Sequence, residues 1–69
     1  MTMRLTVNGK PRDIDGEPTI LQFVEANQLN PRLVAVEHNG AIIRREQLGE
    51  VQLHEGDILE ILHMVGGGA

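Results

Sequence analysis

The residues best suited to chemistry lie at the end of the sequence, where Val65 is followed by Gly66-Gly67-Gly68-Ala69. Without a Cβ, a glycine run threads a narrow channel and brings a carboxylate close to another protein's reacting atoms. Fully extended, four residues reach ~13 Å. The same composition also fits a frayed or appended chain end. Composition alone leaves both readings open.

Other chemistries find little support. The chain has no serine and no cysteine, which removes serine and thiolate nucleophiles, disulfides and cysteine-bound zinc. His38, His54 and His63 are scattered and lack a partner at a ligand spacing, so they read as solvated or sheet-surface histidines. Asp13 and Asp15 could form a carboxylate pair, but they flank a turn and read as solvated turn formers. Gly9, Gly16, Gly40 and Gly56 each sit at an expected turn, and none opens a phosphate loop. A free-standing enzyme is not expected. No metal and no bound cofactor is expected either.

At 69 residues the chain is one domain at most. A domain of this size buries only about 60% of its unfolded surface, and its stability should lie near the low end of the usual range, ~5 kcal/mol. The composition is 41% hydrophobic with one Phe and no Tyr or Trp, so the core must be aliphatic. A net charge of −4 without aromatic platforms argues against nucleic acid as a partner. No apolar run is long enough to span a membrane, and Met1-Thr2-Met3-Arg4 lacks the pattern of a signal peptide. A cytoplasmic protein without membrane contact is the expectation.

Met3-Arg4-Leu5-Thr6-Val7 alternates with the period of a half-buried strand, Met3, Leu5 and Val7 facing inward. Asn8-Gly9 is a strong hairpin signal, and Lys10 to Ile14 returns as a strand that Pro11 confines to an edge. Thr19 with Gln22 predicts a capping box opening a helix, whose stripe is Ile20, Phe23 and Val24 with Leu21 beside it. That helix should run about ten residues and fade by Leu29, because Asn30 precedes Pro31. Leu33 to Glu37 reads as a strand with Val34 and Val36 inward. Asn39-Gly40 then turns into a short strand, Ala41-Ile42-Ile43. Arg44 to Gly49 is expected to be irregular or briefly helical, with Leu48, Val51 and Leu53 closing one end of the core. After the turn at Glu55-Gly56-Asp57, Ile58 to Val65 is the longest apolar run and the natural central strand. If the first and last strands pair in parallel, two right-handed connections close a mixed sheet of four to five strands over one helix. The expected fold is α+β, of the β-grasp (ubiquitin-like) kind, with residues 1–65 as the domain and 66–69 as a flexible tail.

Several blocks, in order, carry a resemblance. Val34-Ala35-Val36-Glu37-His38-Asn39-Gly40, Arg45-Glu46, Glu55-Gly56-Asp57, Leu59-Glu60-Ile61 and Val65-Gly66-Gly67-Gly68 are together similar to the ThiS family, the sulfur carriers of thiamin biosynthesis. The resemblance covers essentially the whole chain. It implies that a terminal glycine, here Gly68 with Gly67 and Gly66 behind it, is adenylated with ATP by an E1-like adenylyltransferase (ThiF). Sulfur from a donor then gives a thiocarboxylate, which serves thiazole synthase (ThiG). Two departures stand out. Ala69 follows Gly68, so it is trimmed by a protease, is an added residue, or marks a chain that carries no sulfur. Arg44 stands where the family often has proline.

A carrier needs a docking surface rather than catalytic residues. With Leu59 and Ile61 inward, Leu62 and Met64 take the opposite parity, either as exposed anchors beside Val65 or as further core. Glu37 and Glu60 are candidates to steer a basic partner. Two alternative functions stay open. One is a related carrier such as the small subunit of molybdopterin synthase, against which the short chain and single Phe argue. The other is a ubiquitin-like interaction module without thiocarboxylate chemistry.

Overall fold

The computed structural model describes residues 1–64. Five strands, β1 (Thr2–Val7), β2 (Lys10–Asp15), β3 (Val34–His38), β4 (Ala41–Ile43) and β5 (Ile58–His63), form one sheet in the order β2-β1-β5-β3-β4. β1 and β5 run parallel, and the other neighbours are antiparallel. Among the described residues one α-helix, α1 (Ile20–Ala26), covers one face. This is the expected β-grasp arrangement, with β2 at an edge and β5 in the centre. Among the described residues no helix is long and apolar enough to cross a membrane.

Alternation dictates the layers. Met3, Leu5 and Val7 of β1, Val34 and Val36 of β3, and Leu59 and Ile61 of β5 all point to the helix side. Ile20, Phe23 and Val24 of α1 meet them, and Leu5, Ile20, Val24, Leu53 and Leu59 are wholly inaccessible to solvent. Arg12 faces the same side from the edge strand, its guanidinium lying 5.5 Å above the Phe23 ring and closing the core at that margin.

The helix start is fully tied. Thr19 and Gln22 make the predicted capping box, each accepting from the other's backbone N–H at 3.2 and 2.9 Å. The remaining free donors, Ile20 N and Leu21 N, go to the carbonyls of Val51 and Leu48 at 3.0 and 2.9 Å. The segment between β4 and β5, which includes a 3-10 turn at Arg45–Gln47, therefore serves as a clamp on the helix. Its Leu48 and Leu53 are buried, and Val51 packs against the core, as their apolar character suggests.

The helix is seven residues long rather than about ten. It ends in a Schellman motif: Gln28 N bonds to Glu25 O at 2.9 Å and Leu29 N to Val24 O at 3.1 Å. Gln28 takes the left-handed conformation (φ 62°) usually given to glycine, so the sequence carries no glycine to mark the stop. Leu29 packs into the core, and a 3-10 turn at Pro31–Leu33 leads to β3. Leu33 is thus an exposed turn residue and not the first residue of the strand.

Asp13 also departs from expectation. It lies within β2, opposite Arg4 of β1, and accepts two bonds from its guanidinium at 2.8 and 3.1 Å. That hydrogen bond lowers the Asp13 pKa. Asp13 and Asp15 share a strand face, but only Asp15 sits at the turn.

Candidate functional site

The site is built on β5, the strand that leads into the glycine segment. Two asparagines fix its position. Asn8 follows β1 in the left-handed conformation (φ 52°), where its side chain takes the place of the next strand residue. Its Oδ1 accepts from Ile61 N at 2.8 Å and its Nδ2 donates to Ile61 O at 3.2 Å. Asn39, with φ 51°, repeats the device at the start of β5. Its Oδ1 accepts from Ile58 N, and its own N–H donates to Ile58 O, both at 2.8 Å. Each Asn-Gly pair is therefore a turn and a clamp on the central strand.

A buried carboxylate reinforces the second clamp. Asp57 Oδ2 lies 2.8 Å from His38 Nε2 and accepts from His54 N at 2.9 Å, while Oδ1 accepts from Asn39 Nδ2 at 3.1 Å. Burial alone would raise the Asp57 pKa. The hydrogen bonds from His38, His54 N–H and Asn39 outweigh it and hold the carboxyl below the usual range. His38 is consequently not a solvated histidine: its side chain is 17% exposed and partnered by Asp57. His54 and His63 are exposed. Among the described residues no group of His, Asp or Glu is arranged to hold a metal ion.

The outward face of β5 carries Ile58, Glu60 and Leu62, with Met64 just beyond the strand. Leu62 and Met64 are 66% and 51% exposed, so they do not complete the core. Met64 N still bonds to Leu33 O at 2.7 Å, which keeps the chain on the sheet to that point. Ala35 of β3 stands opposite Leu62, Glu37 opposite Glu60, and Ile42 of β4 opposite Glu37. Together these side chains line a shallow depression of about 130 Å³. Leu62, Met64 and Glu60 are thus brought together, and Val65, Gly66, Gly67, Gly68 and Ala69 lie outside the described residues.

Ile42 and Ile58, 75% and 51% exposed, belong to this face and escaped the sequence reading. The signal for Ile58 was available, since it shares the parity of Glu60 and Leu62 on β5. The register joining Ile42 to them was not. A larger open groove of about 420 Å³ runs between β2 and α1. Arg12 lies across it, donating to Asn27 Oδ1 at 2.9 Å, and no residue of β5 lines the groove.

Comparison with known proteins bears directly on this arrangement. Residues 5–68 match the ThiS family. The sulfur carrier protein ThiS of Bacillus subtilis is 44% identical over 50 residues, which cover 72% of this chain and 76% of that protein. The crystal structure of the thiamine biosynthesis protein (ThiS) from Geobacter metallireducens superposes with a TM-score of 0.82 at 36% identity, covering 96% of this chain and all of that one. A thiazole synthase of Magnetococcus marinus is 35% identical over 66 residues, and a second from Paramagnetospirillum magneticum 33% over 67. The chain spans 96% and 97% of itself in these two alignments but only 20% and 21% of the synthases, about a fifth of their length.

Proposed function

We propose a sulfur-carrying function whose premise is that the chain belongs to the ThiS family. In this reading Gly68, once Ala69 is removed, presents the reacting carboxylate, with Gly67 and Gly66 giving it unhindered reach. A carboxylate is a poor electrophile. An E1-like adenylyltransferase overcomes this by directing a carboxylate oxygen to the α-phosphorus of ATP, releasing pyrophosphate and leaving an acyl-adenylate. A sulfur nucleophile at the sulfide level then displaces AMP, and a thiocarboxylate remains. That group donates its sulfur for formation of the thiamin thiazole. The chain is a co-substrate and supplies no catalytic residue; it works in the cytoplasm with its partner enzymes.

The observation that carries this reading is the extent of the family match, which runs through Gly68 and so includes the glycine segment. Two features support it further. The segment follows the central strand, which Asn39 and Asn8 clamp at Ile58 and Ile61. Proteins named thiazole synthase contain a stretch similar to nearly the whole of this chain, which supports thiazole synthase as the recipient of the sulfur.

The test is activation of a chain ending at Gly68 by the E1-like adenylyltransferase of the same organism. Exchange of labelled pyrophosphate into ATP is expected with this chain and should vanish when residues 67 and 68 are deleted. No exchange with the intact glycine end would sink the proposal and leave an interaction module in its place.

A further inference from the structure

Glu37 and Glu60 stand directly opposite each other on the antiparallel pair β3–β5, and both are exposed on the outer face. Like charges at facing positions destabilise a sheet. Among the described residues no cation pairs with either; the two ion pairs there are Arg4–Asp13 and His38–Asp57. The carboxylates are bordered by Ile42, Leu62 and Ala35, with Ile58 and Met64 continuing the apolar surface along β5. An apolar surface of this kind suits a protein contact. It does not suit a second copy, because face-to-face pairing would desolvate four carboxylates between chains of net charge −4.

We propose that this face docks on thiazole synthase, and that the synthase inserts one guanidinium between Glu37 and Glu60 while its apolar side chains cover Ile42 and Leu62. A planar guanidinium has enough donors to serve both carboxylates at once, which a compact ammonium does less well. The inference rests on the sulfur-transfer reading above and adds the surface and its chemistry. The synthase is preferred as occupant because proteins of that name hold a stretch similar to this chain. The location fits as well, since Leu62 and Met64 lie on the segment that leads directly into residues 65–68.

The opposition of the two glutamates gives the test an unusual sign. Binding of a chain ending at Gly68 to the synthase of the same organism is measured by titration calorimetry, and thermal unfolding is measured on the free chain. The variants are Glu37→Gln, Glu60→Gln and Glu60→Asp. Each glutamine variant should raise Kd about tenfold or more, yet raise the free chain's Tm by about 2–4 °C. Glu60→Asp, which keeps the charge, should retain most of the affinity. If the unsubstituted chain binds and both glutamine variants bind equally well, the surface assignment falls and the carrier reading survives. If the unsubstituted chain does not bind the synthase, the recipient proposed above is wrong and the assignment falls with it. Weaker binding accompanied by a lower Tm would trace the loss to the fold and also overturn the assignment.

Discussion

On the inner face of the sheet, Leu5 and Leu59 are wholly buried, and Val36 nearly so, against α1. One residue along the same strands, Glu37, Glu60 and Leu62 point to solvent. The inner side chains satisfy folding alone: aliphatic, close-packed and matched across strands. The outer ones serve folding poorly, since two like charges face each other and several large apolar groups remain uncovered. Strand alternation places both sets, but only the inner set is explained by the stability of the isolated chain. The proposed contact with thiazole synthase would cover the outer set.

Substitutions on the two faces of β5 sharpen this contrast most. Leu59→Ala should cost about 3 kcal/mol, because it removes buried contacts and leaves a cavity in a close-packed core. For a domain expected to be stable by only ~5 kcal/mol that is the larger part of the whole. Leu62→Ala, three positions along on the outer face, should change stability by less than ~0.5 kcal/mol. Urea unfolding of the two variants checks both, and equal losses would erase the distinction between the faces.

The clamps come next. Asn39→Gly keeps the left-handed turn but removes the side-chain bonds to Ile58 N and Asp57, and should cost about 2 kcal/mol. Asn8→Gly removes the pair of bonds to Ile61 and should cost about 1–2 kcal/mol. Amide hydrogen exchange at Ile58 and Ile61 should rise first in the respective variants.

Asp57 predicts a pH dependence. Its pKa is lower in the folded chain than in the unfolded one. The unfolded chain therefore binds the proton more readily, and the stabilisation is present above the unfolded carboxylate value, about 4. It is lost as pH falls through the lower, folded value. Asp57→Asn should be less stable than the unsubstituted chain near neutrality and should lose part of the acid-induced fall, as measured by urea midpoints from pH 7 downward. The smallest effect is expected at Arg4–Asp13, a solvent-exposed pair on the outer side of β1 and β2. Asp13→Asn should leave the urea midpoint unchanged within error, since water and salt screen such pairs.

Most of the architecture was legible from the sequence because it follows from short-range signals. Alternation fixed the inward residues of β1, β3 and β5, the Asn-Gly pairs fixed the hairpins, and Thr19 with Gln22 fixed the helix start. The helix end was missed because its left-handed residue is Gln28, which has a Cβ and carries no such signal. The Asp57 network was missed for another reason. Asp57 lies 19 and 18 residues beyond His38 and Asn39 in the sequence, and only the β3–β5 register brings them together. The outer face was half legible. Parity on β5 gave Leu62, Met64 and Glu60, whereas Ile42 and the facing of Glu37 on Glu60 depend on register between strands.

The central claim, that the glycine segment is the working part, is tested most directly by mass spectrometry on protein purified from its own host. Intact mass should be combined with fragmentation of the C-terminal peptide, because oxidation of Met1, Met3 or Met64 adds nearly the same mass as the change sought. The account predicts a chain ending at Gly68 with sulfur in place of one terminal oxygen, most abundant under thiamin starvation. An unmodified chain retaining Ala69 under that condition would contradict it.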